Sequence, residues 1–414
     1  MTGIVIAITG RGGEQRIQRW SHEWTDGRAF RVCLTFDLGS RREHSAVSPD
    51  PDRSHRRRSV ARAGHRRSDR ASGHLLRSDD MRAKGITYDT GFAPGGRSSR
   101  PVFDPDAVRR EIRVIADDLH CDAVRITGGD PERLAVAAEH AVDAGLEVWF
   151  SPFPCELSAT ELLPYFADCA HRAQEVGAEV FVAGCELSLF AAGFLPGDDS
   201  FARIKAVAGS DPDPDAAAAR ISEIAARLDP VLADTAATVR ERFRGRVTYA
   251  AGTWEQIDWS PFDIVGVDAY GDSSDAFRQG LREYLRHGKP LAATEFGCCT
   301  YRGAAERGGI GWAIVDHEAD PPRLDGDYTR DENEQARYLR EMTAVFDEEG
   351  VDTAFWFTFA GYGFPHDTDP RSDLDMASYG VCKLMPDGSL VPKRSFYAMA
   401  EAYRTPQSRP VTST

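Results

Sequence analysis

The sequence predicts an α/β chain closed into a (β/α)8, or TIM, barrel, with long loops after its fourth, seventh and eighth strands. Two observations predict it. From residue 85 to residue 403, short apolar runs alternate eight times with mostly amphipathic stretches, which is how βα units feeding a parallel sheet read. Two of those runs, 180–186 and 291–295, close on a single glutamate, Glu186 and Glu295. A buried parallel strand is apolar along its length, and its C-terminal tip opens onto the pocket of such a barrel.

The apolar runs fall at 85–89, 123–127, 147–151, 180–186, 247–252, 264–270, 291–295 and 353–359. Helical stretches follow at 106–119, 131–144, 159–176, 215–243, 276–287, 333–348 and 393–403. Only the link 253–263, between the fifth and sixth runs, is too short for a full helix. A doubly wound open sheet would announce a glycine-rich phosphate turn after its first strand, and Tyr88-Asp-Thr-Gly-Phe92 lacks that spacing. The loops 190–214 and 297–331 follow the two glutamate strands, where long insertions shape a substrate pocket.

Composition divides the chain near Met81. Residues 1–80 hold sixteen arginines, no lysine and ten acidic residues, about +6, against −15 for the whole chain of 414. Stretches such as His55-Arg-Arg-Arg-Ser59 have the composition of disordered segments. The segment reads as a disordered basic extension or as a misassigned start ahead of Met81, with residues 81–406 as the barrel and 407–414 as a tail. Five scattered lysines make no phosphate-tracking stripe, so nucleic acid is excluded as a partner. The eight cysteines show no zinc spacing and read as reduced thiols. No apolar run reaches the ~20 residues of a membrane helix, and the N-terminal run lacks the charge order of a signal peptide. A cytoplasmic location is expected.

The residues at the expected strand ends are Asp89, Arg125, Ser151, Glu186, Trp254, Tyr270, Glu295 and Trp356. If Glu186 and Glu295 face each other, one can act as general acid and base while the other attacks a sugar carbon. A guanidinium at Arg125 would keep the attacking carboxylate ionised, and Tyr270 would donate to it. Trp254 and Trp356 offer flat faces to a sugar or pack in the core. Asp89 and Asp268 bind a hydroxyl or cap a turn. Cys185, Cys298 and Cys299 lie near the glutamates without an activating base in the sequence. His317 and His366, each among acidic neighbours, read as solvated loops, so neither metal nor cofactor is expected.

Over about residues 84–404 the chain resembles the clan A (β/α)8 glycoside hydrolases. Arg125 matches the arginine that closes their second strand, Tyr270 the tyrosine or histidine after the sixth, and Trp356 the tryptophan that floors the sugar site. The tail motifs Ser378-Tyr-Gly-Val381, Pro386-Asp-Gly388 and Lys393-Arg-Ser-Phe-Tyr397 are also similar. The resemblance implies a retaining glycosidase acting on an oligosaccharide or small glycoside, with Glu186 as acid/base and Glu295 as nucleophile. One position departs from it: Cys185 stands where an asparagine usually contacts the sugar 2-hydroxyl, and a thiol is a weaker partner. The alternative is an altered barrel that binds carbohydrate or another small molecule without hydrolysis. The stretch from Gly85-Ile-Thr-Tyr-Asp-Thr-Gly91 to Phe150-Ser-Pro-Phe-Pro-Cys155 is also similar to actinobacterial chains labelled abortive infection protein, which would place that alternative in phage defence.

Overall fold

Each predicted apolar run is a strand of one parallel sheet: β1 Ala83–Asp89, β2 Ala123–Gly128, β3 Glu147–Pro152, β4 Val180–Cys185, β5 Arg246–Ala250, β6 Val265–Asp268, β7 Leu291–Phe296 and β8 Thr353–Trp356. The computed structural model describes residues 81–208 and 214–404, with the backbone of three antiparallel strands, Val5–Thr9, Gln15–Thr25 and Arg28–Leu38, ahead of them. Of the expected extension 1–80 only those strand backbones are described; its residues 39–80 and the 407–414 tail lie outside the described residues.

Strand order runs β5-β4-β3-β2-β1-β8-β7-β6. The ring closes between β5 and β6 by a parallel bridge from Ala251 to Val267. Backbone bonds from Ala251 to Gly266 (3.0 Å) and from Asp268 to Ala251 (2.9 Å) hold that seam. The sheet is therefore a (β/α)8 barrel.

The outer layer comprises α1 Pro105–Asp117, α2 Pro131–Asp143, α3 Ala159–Val176, α4 Pro214–Arg240, α5 Asp275–Leu285, α6 Glu332–Glu348 and α7 Arg394–Tyr403. Their starts follow local chemistry. Asp104, Asp130, Ser274 and Asp331 accept from backbone N–H groups of the first turn, and Ser158 with Glu161 forms a capping box. As expected, no helix separates β5 from β6. Among the described residues no helix is long and apolar enough to cross a membrane.

Side-chain parity sorts the barrel into two cores. Ala83, Ala123, Trp149, Val180, Val182, Ala250, Ala292 and Phe355 point inward, and Trp149 meets Phe355 edge-on at 4.8 Å. Their neighbours Val124, Phe150, Phe181, Val267, Ala293 and Trp356 point outward, to the helices. Where β5 meets β6 the backbones need a glycine. A Cβ on Gly266 would lie 2.3 Å from the Tyr249 carbonyl oxygen and 2.9 Å from Thr248 Oγ1. Gly266→Ala is expected to destabilise the barrel by about 1–3 kcal/mol, the usual size of overpacking. Urea unfolding of the variant against wild type measures it; an unchanged midpoint would show that the seam yields freely.

Candidate active site

Arg125 sits on the inward parity of β2, two residues beyond Ala123, and is fully buried inside the barrel. A guanidinium there needs acceptors on every side. Its Nε donates to Ser151 Oγ (3.0 Å), and its Nη1 donates to the Thr294 carbonyl (3.0 Å) and to Glu295 Oε1 (2.7 Å). Tyr270 Oη donates to the other oxygen, Glu295 Oε2, at 3.0 Å. Both oxygens of Glu295 are thus held from the protein side. Burial, then the Glu295 charge, pushes the Tyr270 phenol well above its usual range, so it remains a donor.

Glu295 reaches the interior through an irregularity. Leu291 and Ala293 face the helices, so strict alternation would send Glu295 outward with them. The register of β7 slips against β6 between Ala293 and Glu295, and against β8 between Ala293 and Phe296. That bulge turns Thr294 and Glu295 together toward the axis, where Thr294 Oγ1 donates to Asp268 Oδ1 (2.8 Å).

The same device occurs at the tip of β4. Its register against β5 slips between Val182 and Cys185. Gly184 takes φ 103°, and a Cβ there would approach Leu187 to 2.9 Å. Cys185 consequently joins the interior, and Glu186 follows in the left-handed region at φ 43°, ψ 44°. A non-glycine residue held there costs roughly 1–3 kcal/mol and tends to mark functional positions. Glu186 as a residue is half-buried at the tip of β4. Burial, and after it the charges of Asp268, Glu295 and Glu255, push its pKa well above the ordinary carboxylate range.

Cys185 binds inward. Its Sγ lies 3.5 Å from Asp268 Oδ2 and 3.6 Å from Glu295 Oε1, a donor to both. Burial raises the thiol well above its usual pKa, so it is a proton donor and no nucleophile. The thiol sulfur and the two carboxylate oxygens lie within 4.8 Å of one another, a donor set with the chemistry of a divalent cation site. Arg125, at 2.7 Å from Glu295, is the cation of this cluster. Asp268 is itself buried and its pKa is raised well above the usual value, first by burial and then by Glu295.

The structure thus gathers Arg125, Cys185, Glu186, Asp268, Tyr270 and Glu295 around one point, and Trp254 beside them. The Trp254 indole is partly exposed and donates to Ser188 Oγ (3.1 Å) just past the β4 tip. Two expected residues stand apart. Trp356 is fully buried on the outward parity of β8, with its Nε1 donating to the Tyr379 carbonyl (3.0 Å) and its ring edge-on to Phe296. It therefore packs behind the strand and offers no sugar floor. Phe357, the next aromatic, is partly exposed beyond the strand tip, with its ring 5.9 Å from that of Tyr379. Asp89 accepts from the Gly91 N–H (2.7 Å) and closes the turn after β1. His366 is paired with Asp373 at 2.9 Å.

Sequence reasoning passed over Glu255. It is buried and accepts from Ser188 N (2.9 Å), Tyr249 Oη (2.9 Å) and Gly252 N (3.1 Å), while Tyr249 Oη in turn accepts from Leu187 N (2.7 Å). It thereby fixes the backbone just after Glu186 and ties it to the turn after β5.

In overall fold the chain is similar to two solved structures of GH113 β-1,4-mannanase, one of them a complex. Each is 16% identical over 80% of this chain and 100% of the other, with TM-scores of 0.53 and 0.51. The likeness is one of fold. A third structure, the GH113 β-mannanase AaManA from Alicyclobacillus acidocaldarius, is 18% identical over 79% of this chain and 98% of its own, with a TM-score of 0.49. No family model matches the sequence, and no curated protein matches it.

The raised pKa of Asp268 has a consequence for stability. The unfolded chain ionises this group at about pH 3.9, whereas the folded chain does so at higher pH. Folding free energy is therefore lost as pH rises from about 3.9 through the folded value. Asp268→Asn should remove that loss, so its Tm relative to wild type should climb between pH 4 and pH 8. A parallel course of the two Tm curves would contradict the assignment.

Proposed function

We propose that this chain is a retaining glycoside hydrolase in which Glu186 is the acid/base and Glu295 the nucleophile. The observation that carries the reading is the asymmetry between the two carboxyls. Glu295 is gripped through both oxygens by Arg125 and Tyr270, as an anion poised to attack would be. Glu186 stands at the rim, with a pKa raised by burial and by neighbouring anions, as a group that must carry a proton would be.

In the first step Glu186 gives its proton to the glycosidic oxygen as the bond to C1 breaks and Glu295 forms an ester to C1. The alcohol departs. Water then attacks C1, Glu186 takes its proton, and the ester bond to Glu295 breaks to release the sugar. Arg125 and Tyr270 receive the carboxylate each time it is freed. Cys185 supports the same carboxylate from below and leaves little for a sugar 2-hydroxyl. The neighbours in fold are β-1,4-mannanases by name, so β-1,4-mannosides are the first substrates to offer. Nothing in this geometry bears on phage defence.

Glu295→Gln should abolish release of aglycone from any aryl glycoside that the wild type cleaves. Glu186→Gln should lose about 10²–10⁴-fold on substrates with poor leaving groups, the range of general acid–base catalysis. With an activated leaving group and added azide it should recover turnover and yield a glycosyl azide. Full activity in either variant on an unactivated substrate would overturn the assignment.

Because Glu186 acts as an acid in the first step, kcat/KM should fall as pH rises through its raised pKa. That descending limb should vanish in Glu186→Gln with an activated substrate. A pH–rate profile of the two proteins decides it; a limb that persists in the variant belongs to another group.

A further inference from the structure

The loops after β1, β4 and β7 meet one another. Phe201, in the short helix Ser200–Ala208 after β4, packs edge-on against Trp312 of the loop after β7, with ring centroids 6.2 Å apart. The same Phe201 ring lies against Gly95 of the loop after β1, where an added Cβ would sit 3.0 Å from it. Glu156, after β3, ties these segments from below. Its carboxylate accepts from Gly95 N (3.2 Å), Ser200 N (2.8 Å) and Ser200 Oγ (2.6 Å), and it pairs with the buried Arg203.

The positions of those loops in the ring locate the meeting point. Going round the barrel, β1 and β4 are three strand steps apart, β4 and β7 three, and β7 and β1 two, by the observed strand order. The Phe201–Trp312–Gly95 contact therefore joins loops rooted at β1, β4 and β7 and bridges the rim between the two strands whose tips carry Glu186 and Glu295. The β5–β6 connection takes no part in this meeting; it has no helix, and the partly exposed Trp254 lies in it.

We infer that the site takes a saccharide by its chain end, under a roof made by Phe201 and Trp312, and does not receive an internal segment laid across an open cleft. This rests on the glycosidase reading of the pocket and adds the class of substrate to it. An internal segment would have to enter sideways through the loop contacts. A non-reducing end enters from the β5–β6 side, its terminal sugar lies over Glu295, and the leaving group points back out past Trp254. Half-exposed aromatic faces suit this role, since they cover the apolar face of a sugar ring and exclude water from it. Phe201 retains 39% of its surface, available for such a contact.

The test compares free and capped chain ends. β-1,4-Mannotriose, cellotriose and chitotriose are titrated calorimetrically into Glu295→Gln, each free and each with a 4,6-O-benzylidene cap on the non-reducing sugar. The free form of whichever saccharide binds should bind at least about tenfold more tightly than its capped form. Phe201→Ala with Trp312→Ala, added to Glu295→Gln, should narrow that difference.

Equal affinity for capped and free forms would overturn the roof. Wild-type turnover of the same six compounds reports separately on the catalytic reading. Cleavage with no discrimination between capped and free keeps the glycosidase and discards chain-end entry. Selective binding of free ends without cleavage keeps chain-end entry and discards the glycosidase. If none of the six binds or is cleaved, both fall.

Discussion

The site depends on a guanidinium buried inside a barrel. Arg125 has no exposed surface, and one of its terminal nitrogens, Nη2, has no partner among the described residues. A charge in that position destabilises the fold unless an anion is brought to it. Breaking such a buried pair by deleting one partner costs about 3–5 kcal/mol. Glu295 is that anion, and satisfying Arg125 fixes its orientation. Tyr270, Cys185 and Asp268 then arrange themselves around a carboxylate whose place is already set. The same contact stabilises the fold and holds the reactive oxygens, so the two roles cannot be optimised apart.

Regular strands would not have produced this cluster. Alternation puts every second residue inside, and both Cys185 and Glu295 fall on the wrong count. A bulge at each of the two strand tips corrects the count and turns an extra residue inward. The left-handed backbone at Glu186 is a further cost of the same kind, and Glu255 offsets it by binding Ser188, two residues on, and Gly252 of the turn after β5. Irregular backbone is concentrated where the carboxyls are, and the opposite ends of β4 and β7 are regular.

Most of this architecture was legible in the sequence because the signals are local. Apolar runs of strand length, spaced by amphipathic stretches, place all eight strands, and the missing helix between β5 and β6 is visible as a short link. The glutamates, Arg125 and Tyr270 were found because charged and phenolic groups stand out at the ends of such runs. Trp356 was misplaced because facing depends on register: Phe355 points in, so Trp356 must point out, and only the packed barrel says which residue of the pair is which. Glu255 was missed because its role is to hold backbone, which leaves no pattern along the chain. The meeting of Phe201 with Trp312 joins residues more than a hundred positions apart and has no sequence signal at all.

The ring also has a history during synthesis. Strands β2 to β5 can each pair with the strand made just before, but β1 pairs on its other edge with β8, and Arg82 bonds to Asp352 across 270 residues of chain. At about 5–20 residues per second, ribosomal synthesis leaves that edge open for roughly 14–54 seconds. Through that interval the apolar interior, Trp149 included, lacks Phe355, and Arg125 waits for Glu295. The nascent chain is therefore an open sheet with an unpaired cation on its uncovered inner face and a strand edge free. That is the period in which it is most open to mispairing and to the attention of chaperones.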